Sequence, residues 1–190
     1  MHVSDQKNEL RTAIEHRLKA MSDKERLAES RTVCRALMKA IPKDATVCAY
    51  MSLKTEVNLQ MLLEELQKRD QKIFLPVYEN KLVYRTFTGF DTLVKGELGI
   101  QEPSLDEEQL DPLDADIVLI PGRAFDRAGN RMGRGNAGYD RWITKQRVRN
   151  PSTQYWGIAL ECQVVNEVPV EKHDEVMDVL VTARGLLTCY

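Results

Sequence analysis

Asp116 and Pro121 enclose four consecutive apolar residues, Ile117-Val118-Leu119-Ile120. A strand turns successive side chains to opposite faces, so one that is apolar at every position is stable only where both faces of its sheet are covered. Further short apolar runs occur at 46–51, around Ile73-Phe74-Leu75-Pro76-Val77, at 154–160 and at 176–182. Lys81 to Phe87 predicts a strand joined to the run before it by a turn at Glu79-Asn80. Between these runs the apolar spacing changes to three and four. Leu10, Ala13, Ile14, Leu18 and Met21 predict a helix over 5–21. Ser22 with Glu25 is a capping-box pattern, opening a second helix through Leu27, Cys34, Leu37, Met38 and Ile41 to Pro42. Leu59, Leu62, Leu63 and Leu66 predict a third, and Trp142 with Ile143 marks another. The alternation specifies an α/β sheet with helices packed over it.

A chain of 190 residues has the length of one domain, read here as 1–190 with residues 1–42 forming a helical pair on the sheet. A domain of this size needs neither disulfides nor a structural metal. Cys34, Cys48, Cys162 and Cys189 lie far apart with no CxxC pair, which points to reduced thiols in a cytoplasmic protein. The first residues lack the apolar core of a secretion signal, and no apolar run approaches the ~20 residues of a membrane span. No membrane partner is expected.

The net charge of −2 conceals an uneven distribution. Six acids and no base fall between Leu105 and Asp116, as in a solvated loop ahead of a strand. Between Pro121 and Asn150, eight bases face only Asp126 and Asp140, so an anion would bind there. Gly133, Gly135 and Gly138 let the backbone approach a phosphate closely and turn N–H groups toward it, and the start of the next helix adds partial positive charge. Arg131 and Arg134 offer forked hydrogen bonds to the same oxygens. The segment reads as a polyphosphate cradle; taken alone, it also fits a glycine-rich surface loop with solvated arginines. Gly133-x-Gly135-x-x-Gly138 has the lettering of a dinucleotide fingerprint, but it begins a dozen residues after its strand, and no Walker loop occurs. Lys7 and Arg11 share a helix face one turn apart, either reaching a phosphate or forming an exposed basic face.

Gly129-Asn130-Arg131-Met132-Gly133-Arg134-Gly135, closing on Tyr139-Asp140, resembles the signature of the 5-formyltetrahydrofolate cyclo-ligase family. Lys7-x-x-x-Arg11, Ser52-Leu53-Lys54-Thr55-Glu56-Val57, Leu75-Pro76, Gly99-Ile100-Gln101-Glu102-Pro103, Pro121-Gly122-x-Ala124-Phe125-Asp126, and His173-Asp174 with Asp178 continue the likeness along nearly the whole chain. The resemblance implies a single-domain Rossmann-like three-layer sandwich with a mostly parallel central sheet (NagB/RpiA/CoA-transferase-like). It also implies a monomeric enzyme that uses ATP and magnesium to convert 5-formyltetrahydrofolate into 5,10-methenyltetrahydrofolate, releasing ADP and phosphate. By the same resemblance, Lys7, Arg11, Arg131, Met132, Gly133, Arg134, Gly135, Asn136, Ala137, Gly138 and Tyr139 meet ATP. Met51 and Glu56 join Arg134, Gly135, Asn136, Ala137 and Gly138 around the folate. Arg131 and Arg134 are the catalytic pair, and Asp140 and Asp178 hold magnesium. His173 has the look of a structural residue before a turn.

The family loop ends Gly-Tyr-Tyr-Asp, whereas this chain has Ala137-Gly138-Tyr139-Asp140. One aromatic ring is missing, and a methyl stands where a glycine would, adding strain if the backbone there has positive φ, unless Gly138 takes over the turn. The departure motivates a second possibility, a nucleotide- or folate-binding sensor without turnover. A third, a nucleic-acid-binding module, would use the basic segment, but its arginines alternate with glycine and aspartate and lack a surface of stacked aromatics.

Overall fold

A computed structural model describes residues 2–96, 99–135 and 137–189. Helices α1 (Val3–Ala20) and α2 (Asp23–Ala40) lead into strand β1 (Val47–Cys48), helix α3 (Gln60–Lys68) and the antiparallel hairpin of β2 (Ile73–Tyr78) and β3 (Leu82–Thr86). A small ladder of β4 (Val94–Lys95) and β5 (Gln101–Glu102) follows, then β6 (Ile117–Pro121), a second small ladder of β7 (Ala124–Phe125) and β8 (Arg131–Met132), and helix α4 (Gly138–Arg149). Strands β9 (Gln154–Ile158), β10 (Val179–Thr182) and β11 (Gly185–Thr188) complete the order.

Seven strands form one sheet in the order β11-β10-β9-β6-β1-β2-β3. The five inner strands are parallel, and each edge strand is antiparallel to its neighbour. The α/β architecture expected from the apolar runs is therefore present, including the two-sided burial. On β6, Ile117 and Leu119 join the core shared with α1, α2 and α3, while Val118 and Ile120 join a second core with Ile143 of α4, Tyr155 and Phe125. Val47 and Cys48 divide between the same two cores. Ile14, Leu18, Val33 and Leu37 carry the first two helices onto the sheet, and both parts of the predicted capping box of α2 are formed. All four cysteines are free thiols, and no helix among the described residues is long and apolar enough to cross a membrane.

Four segments differ from the sequence reading: the first strand, β11 and the two small ladders, with β4–β5 no more foreseen than β7–β8. The strand expected over 46–51 has only two ladder residues, because after the Ala49 N–H bonds Phe74 O at 2.9 Å the chain leaves the sheet. The β7–β8 ladder and β11 have no counterpart in the periodicity, since strands this short hold too few residues to show it. The connection between β7 and β8 is built on Asp126, a buried carboxylate that accepts the N–H groups of Ala128, Asn130 and Val168, each at 3.0 Å, and the Asn130 side-chain amide at 2.9 Å.

Ala137 has φ 50° and ψ 22°, the left-handed region, and Gly138 is already the first residue of α4. The strained alternative is thus the one the chain adopts. Replacing Ala137 by Gly should raise stability by about 0.5–1 kcal/mol, the relief of left-handed strain less the extra freedom of an unfolded glycine. Gly157 presents the opposite constraint: a Cβ there would lie 2.7 Å from the Phe125 ring, which is fully buried. Gly157→Ala should cost about 1–3 kcal/mol by overpacking; thermal unfolding of both variants measures the opposite signs.

Candidate active site

The strand order reverses between β1 and β6: β1 connects through α3 to β2 on one side, while β6 leads to β9 and β10 on the other. At such a point the loops after the two strands diverge and leave a crevice beyond their carboxyl ends. Here it is a cavity of about 270 Å3. Tyr50, Met51 and Glu56 reach it from β1, Pro121 and Gly122 from β6, and Arg131 to Gly135 from the end of β8. Helix α1 crosses the opening with Lys7 and Arg11, and the late segment around Asp174 closes that side.

The loop after β1 is held by its own carboxylate. Glu56 Oε2 accepts the Leu53 N–H at 2.9 Å, and the Tyr50 hydroxyl donates to Val57 O at 3.1 Å. Glu56 Oε1 remains turned to the cavity and accepts from an Arg134 terminal nitrogen at 3.1 Å. Glu56 is buried whereas the Arg134 side chain is 40% exposed, so the acid is fixed and the guanidinium is the movable partner.

Arg131 is buried, donating to Asp140 Oδ1 at 2.7 Å, with its guanidinium carbon 5.8 Å from the centre of the Tyr139 ring. Its Nε is buried without a hydrogen-bond partner. Gly133 lets the loop lie against this guanidinium, since a Cβ there would stand 2.9 Å from an Arg131 terminal nitrogen. The backbone N–H groups of Gly133, Arg134 and Gly135 find no acceptor among the described residues. They are donors left for water or an anion, beside the positive end of α4. Arg11 reaches the same loop, its Nε 3.5 Å from Gly133 O. Met132 is buried in the core, Met51 and Tyr139 are partly buried at the cavity wall, and Asn136 lies outside the described residues.

Lys7 is buried and donates to Glu171 at 2.8 Å and Asp174 at 2.6 Å. Burial alone would lower its ammonium, but the hydrogen bonds and charges of the two carboxylates outweigh that and hold Lys7 above its ordinary value. For Asp174, burial pushes the carboxyl up, and the bonds from Lys7 and the Glu171 N–H more than offset it, so it lies below the usual range. Glu171, His173 and Asp174 bring one donor atom each within 4.8 Å of one another. The structure therefore brings Asp140 and Asp174 to the cavity. Asp178 is not among the lining residues: its Oδ2 accepts the Tyr155 N–H at 2.7 Å, and its Oδ1 lies 3.7 Å from Arg147. Glu171 and Asp174 were accessible to sequence reading only through the likeness at His173-Asp174, because nothing local says that these acids meet a lysine 164 and 167 positions away.

The sequence profile of the 5-formyltetrahydrofolate cyclo-ligase family matches residues 3–183. The 5-formyltetrahydrofolate cyclo-ligase of Escherichia coli K12 is 34% identical over 142 residues, covering 72% of this chain and 77% of that protein. The Mycolicibacterium smegmatis protein of the same name is 30% identical over 195 residues, covering 95% of this chain and 96% of the relative. Among solved structures, the NMR structure of Aquifex aeolicus 5,10-methenyltetrahydrofolate synthetase superposes with a TM-score of 0.82 at 33% identity, covering 96% of this chain and 92% of that one. With a full-length profile match, relatives above 30% identity and a shared fold, this chain belongs to the 5-formyltetrahydrofolate cyclo-ligase family.

Proposed function

We propose that this protein converts 5-formyltetrahydrofolate into 5,10-methenyltetrahydrofolate at the expense of ATP, within a single cyclo-ligase-like domain. The observation that carries the reading is the convergence of two recognition chemistries on one cavity. Glu56 is a fixed carboxylate suited to the guanidine-like edge of a pterin, and across from it stands a cationic, glycine-rich loop with free N–H donors. Arg134 touches both, since it sits on the loop and bonds Glu56.

The formyl oxygen of the substrate is a poor leaving group. Transfer of the γ-phosphoryl of ATP to that oxygen makes it a good one; N10 then attacks the formyl carbon, and phosphate departs with the oxygen. Catalysis of the transfer is mainly positioning and charge neutralisation, and the residues present suit that task. Lys7, which bonds Glu171 and Asp174, and Arg11, which reaches the loop, lie one turn apart on α1 and receive the nucleotide phosphates. Arg134 neutralises the transferring group. Arg131, buried under the loop, holds Asp140 and the Tyr139 ring in place and shapes the cradle from beneath. Met51 supplies an apolar wall beside Glu56.

Divalent-ion chemistry fits the donor set: Asp140 and Asp174 are hard oxygen ligands on the cavity wall, with Glu171 and His173 next to the second. Magnesium bound there would offset charge on the phosphates during transfer. The four free thiols fit a reducing, cytoplasmic setting, and monomeric action on small molecules, without nucleic acid or membrane, is part of the same proposal.

Purified protein supplied with 5-formyltetrahydrofolate and Mg-ATP should generate the methenyltetrahydrofolate absorbance and ADP in equal amounts, and omission of any component should abolish it. Tight ATP binding without turnover would reject the enzymatic reading. Arg134→Ala should lower turnover by about 10²–10³-fold, the usual weight of one preorganised donor at a charge-developing centre, while the protein stays folded with a melting midpoint lower by only a few degrees, the cost of leaving Glu56 with the Leu53 N–H alone. Glu56→Gln should raise KM for the folate about tenfold, as for loss of one charge-assisted hydrogen bond of ~1.5 kcal/mol, and leave KM for ATP within a factor of about two.

A further inference from the structure

Residues 165–178 form neither helix nor strand, yet they bring Glu171, His173 and Asp174 to the cavity. Backbone bonds anchor the stretch on either side of these residues. The Val168 N–H bonds Asp126 at 3.0 Å, and the Met177 N–H bonds Gly129 O at 2.8 Å. Between those anchors, polar contacts with the rest of the molecule come from two places among the described residues. One is Lys7, on Glu171 and Asp174. The other is helix α4, whose contacts converge on Glu175.

Glu175 Oε1 accepts the Thr144 hydroxyl at 2.6 Å, and its Oε2 accepts Arg147 Nε at 3.1 Å. Both donors lie on α4, three residues apart. Arg147 is itself seated over the Tyr155 ring, 4.4 Å from its centre, and also bonds Val176 O at 2.7 Å. The Glu175 N–H turns the other way, toward Asp140, 3.4 Å from Oδ1, the oxygen that Arg131 also bonds. One residue therefore grips the helix with its side chain, meets Asp140 with its backbone, and is the chain neighbour of Asp174. Glu175 does not line the cavity and both its oxygens are engaged, so it acts through other groups.

We propose that Glu175 is a positioning residue for the divalent ion, fixing the segment that bears Asp174 on the helix that bears Asp140 so that the two carboxylates keep their places when Lys7 turns to the nucleotide. The proposal rests on the ATP reading above. An ammonium has three N–H donors, and Lys7 spends two of them on Glu171 and Asp174. Each bond it gives to a phosphate loosens that hold at the moment when the carboxylates are needed as ligands. The clamp on α4 involves neither Lys7 nor the nucleotide and survives the exchange. Without it, Asp174 would have to be ordered anew on binding, at a cost in conformational entropy. Residues that hold metal ligands in place carry weight of this kind, and their loss lowers metal affinity by about 10–100-fold.

The test is calorimetric binding of a non-hydrolysable ATP analogue to the full-length protein, once with saturating Mg2+ and once in chelator. The ratio of the two Kd values measures what the ion contributes, without turnover. In the parent protein Mg2+ should tighten binding by about tenfold or more, and Glu175→Ala should bring the ratio close to unity while the metal-free Kd stays within a factor of about two. The Mg2+ concentration for half-maximal turnover should rise about tenfold in the same variant. Thr144→Val keeps the side-chain shape and removes one of the two anchors, and it should lower the ratio about threefold. Glu161→Ala breaks a similar pair, with Arg184 at 3.0 Å, away from the cavity and should leave the ratio unchanged. Parent-like ratios in Glu175→Ala and Thr144→Val would overturn the proposal. So would an equal fall in Glu161→Ala, which would mark a general loss of rigidity, or a parent ratio of unity. Failure of the parent protein to bind the analogue under either condition would overturn the ATP reading and the proposal with it.

Discussion

The reversal of strand order between β1 and β6 is the constraint on which the site depends. Two adjacent parallel strands whose chains depart in opposite directions cannot close the space above their carboxyl ends, and a crevice remains. Into it fall residues that are far apart in sequence: Tyr50, Met51 and Glu56 after one strand, Pro121, Gly122 and the Arg131–Gly135 loop after the other. The parallel core makes this geometry rigid. Each inner strand is pinned by apolar contacts on both faces, so the loop bases have fixed origins even where their tips are exposed.

Charge in the crevice is paired before any ligand arrives. Lys7 is bonded to Asp174 and Glu171, Arg131 to Asp140, and Arg134 to Glu56. A buried ion without a partner would be severely penalised, so such pairing is a condition for placing this many charges beside one cavity. It also ranks the groups by readiness to respond. Arg131 is enclosed and acts where it stands, while Arg134 is half open to solvent and can exchange its carboxylate for another anion. The two arginines of one short motif thus hold different posts.

The path from β6 to the phosphate-facing loop shows how backbone chemistry delivers those posts. Asp126 gathers four N–H donors into a buried turn, and the short β7–β8 ladder then returns the chain to the crevice. This detour is the reason that Gly133 lies a dozen residues beyond its strand and that the loop is not a dinucleotide fingerprint despite its lettering. Gly133 is required by close approach to the Arg131 guanidinium and Gly122 by the Phe125 ring, whereas Ala137 adopts a left-handed conformation in spite of its methyl group.

Periodicity along the chain determined the layers. Apolar runs without alternation demanded a sheet covered twice, the three-and-four spacing located α1, α2 and α3, and Ser22 with Glu25 marked where α2 begins, because each of these signals acts between residues a few positions apart. The glycine–arginine loop, Glu56 and Lys7-x-x-x-Arg11 were legible for the same reason, as compact motifs with a chemical meaning. Only the tertiary structure decided which charges meet. That Asp174 joins Lys7 at the cavity while Asp178 caps Tyr155 depends on where a late, irregular segment packs against α1. Such pairings are fixed by burial and distance in space, and no local pattern in the chain encodes them.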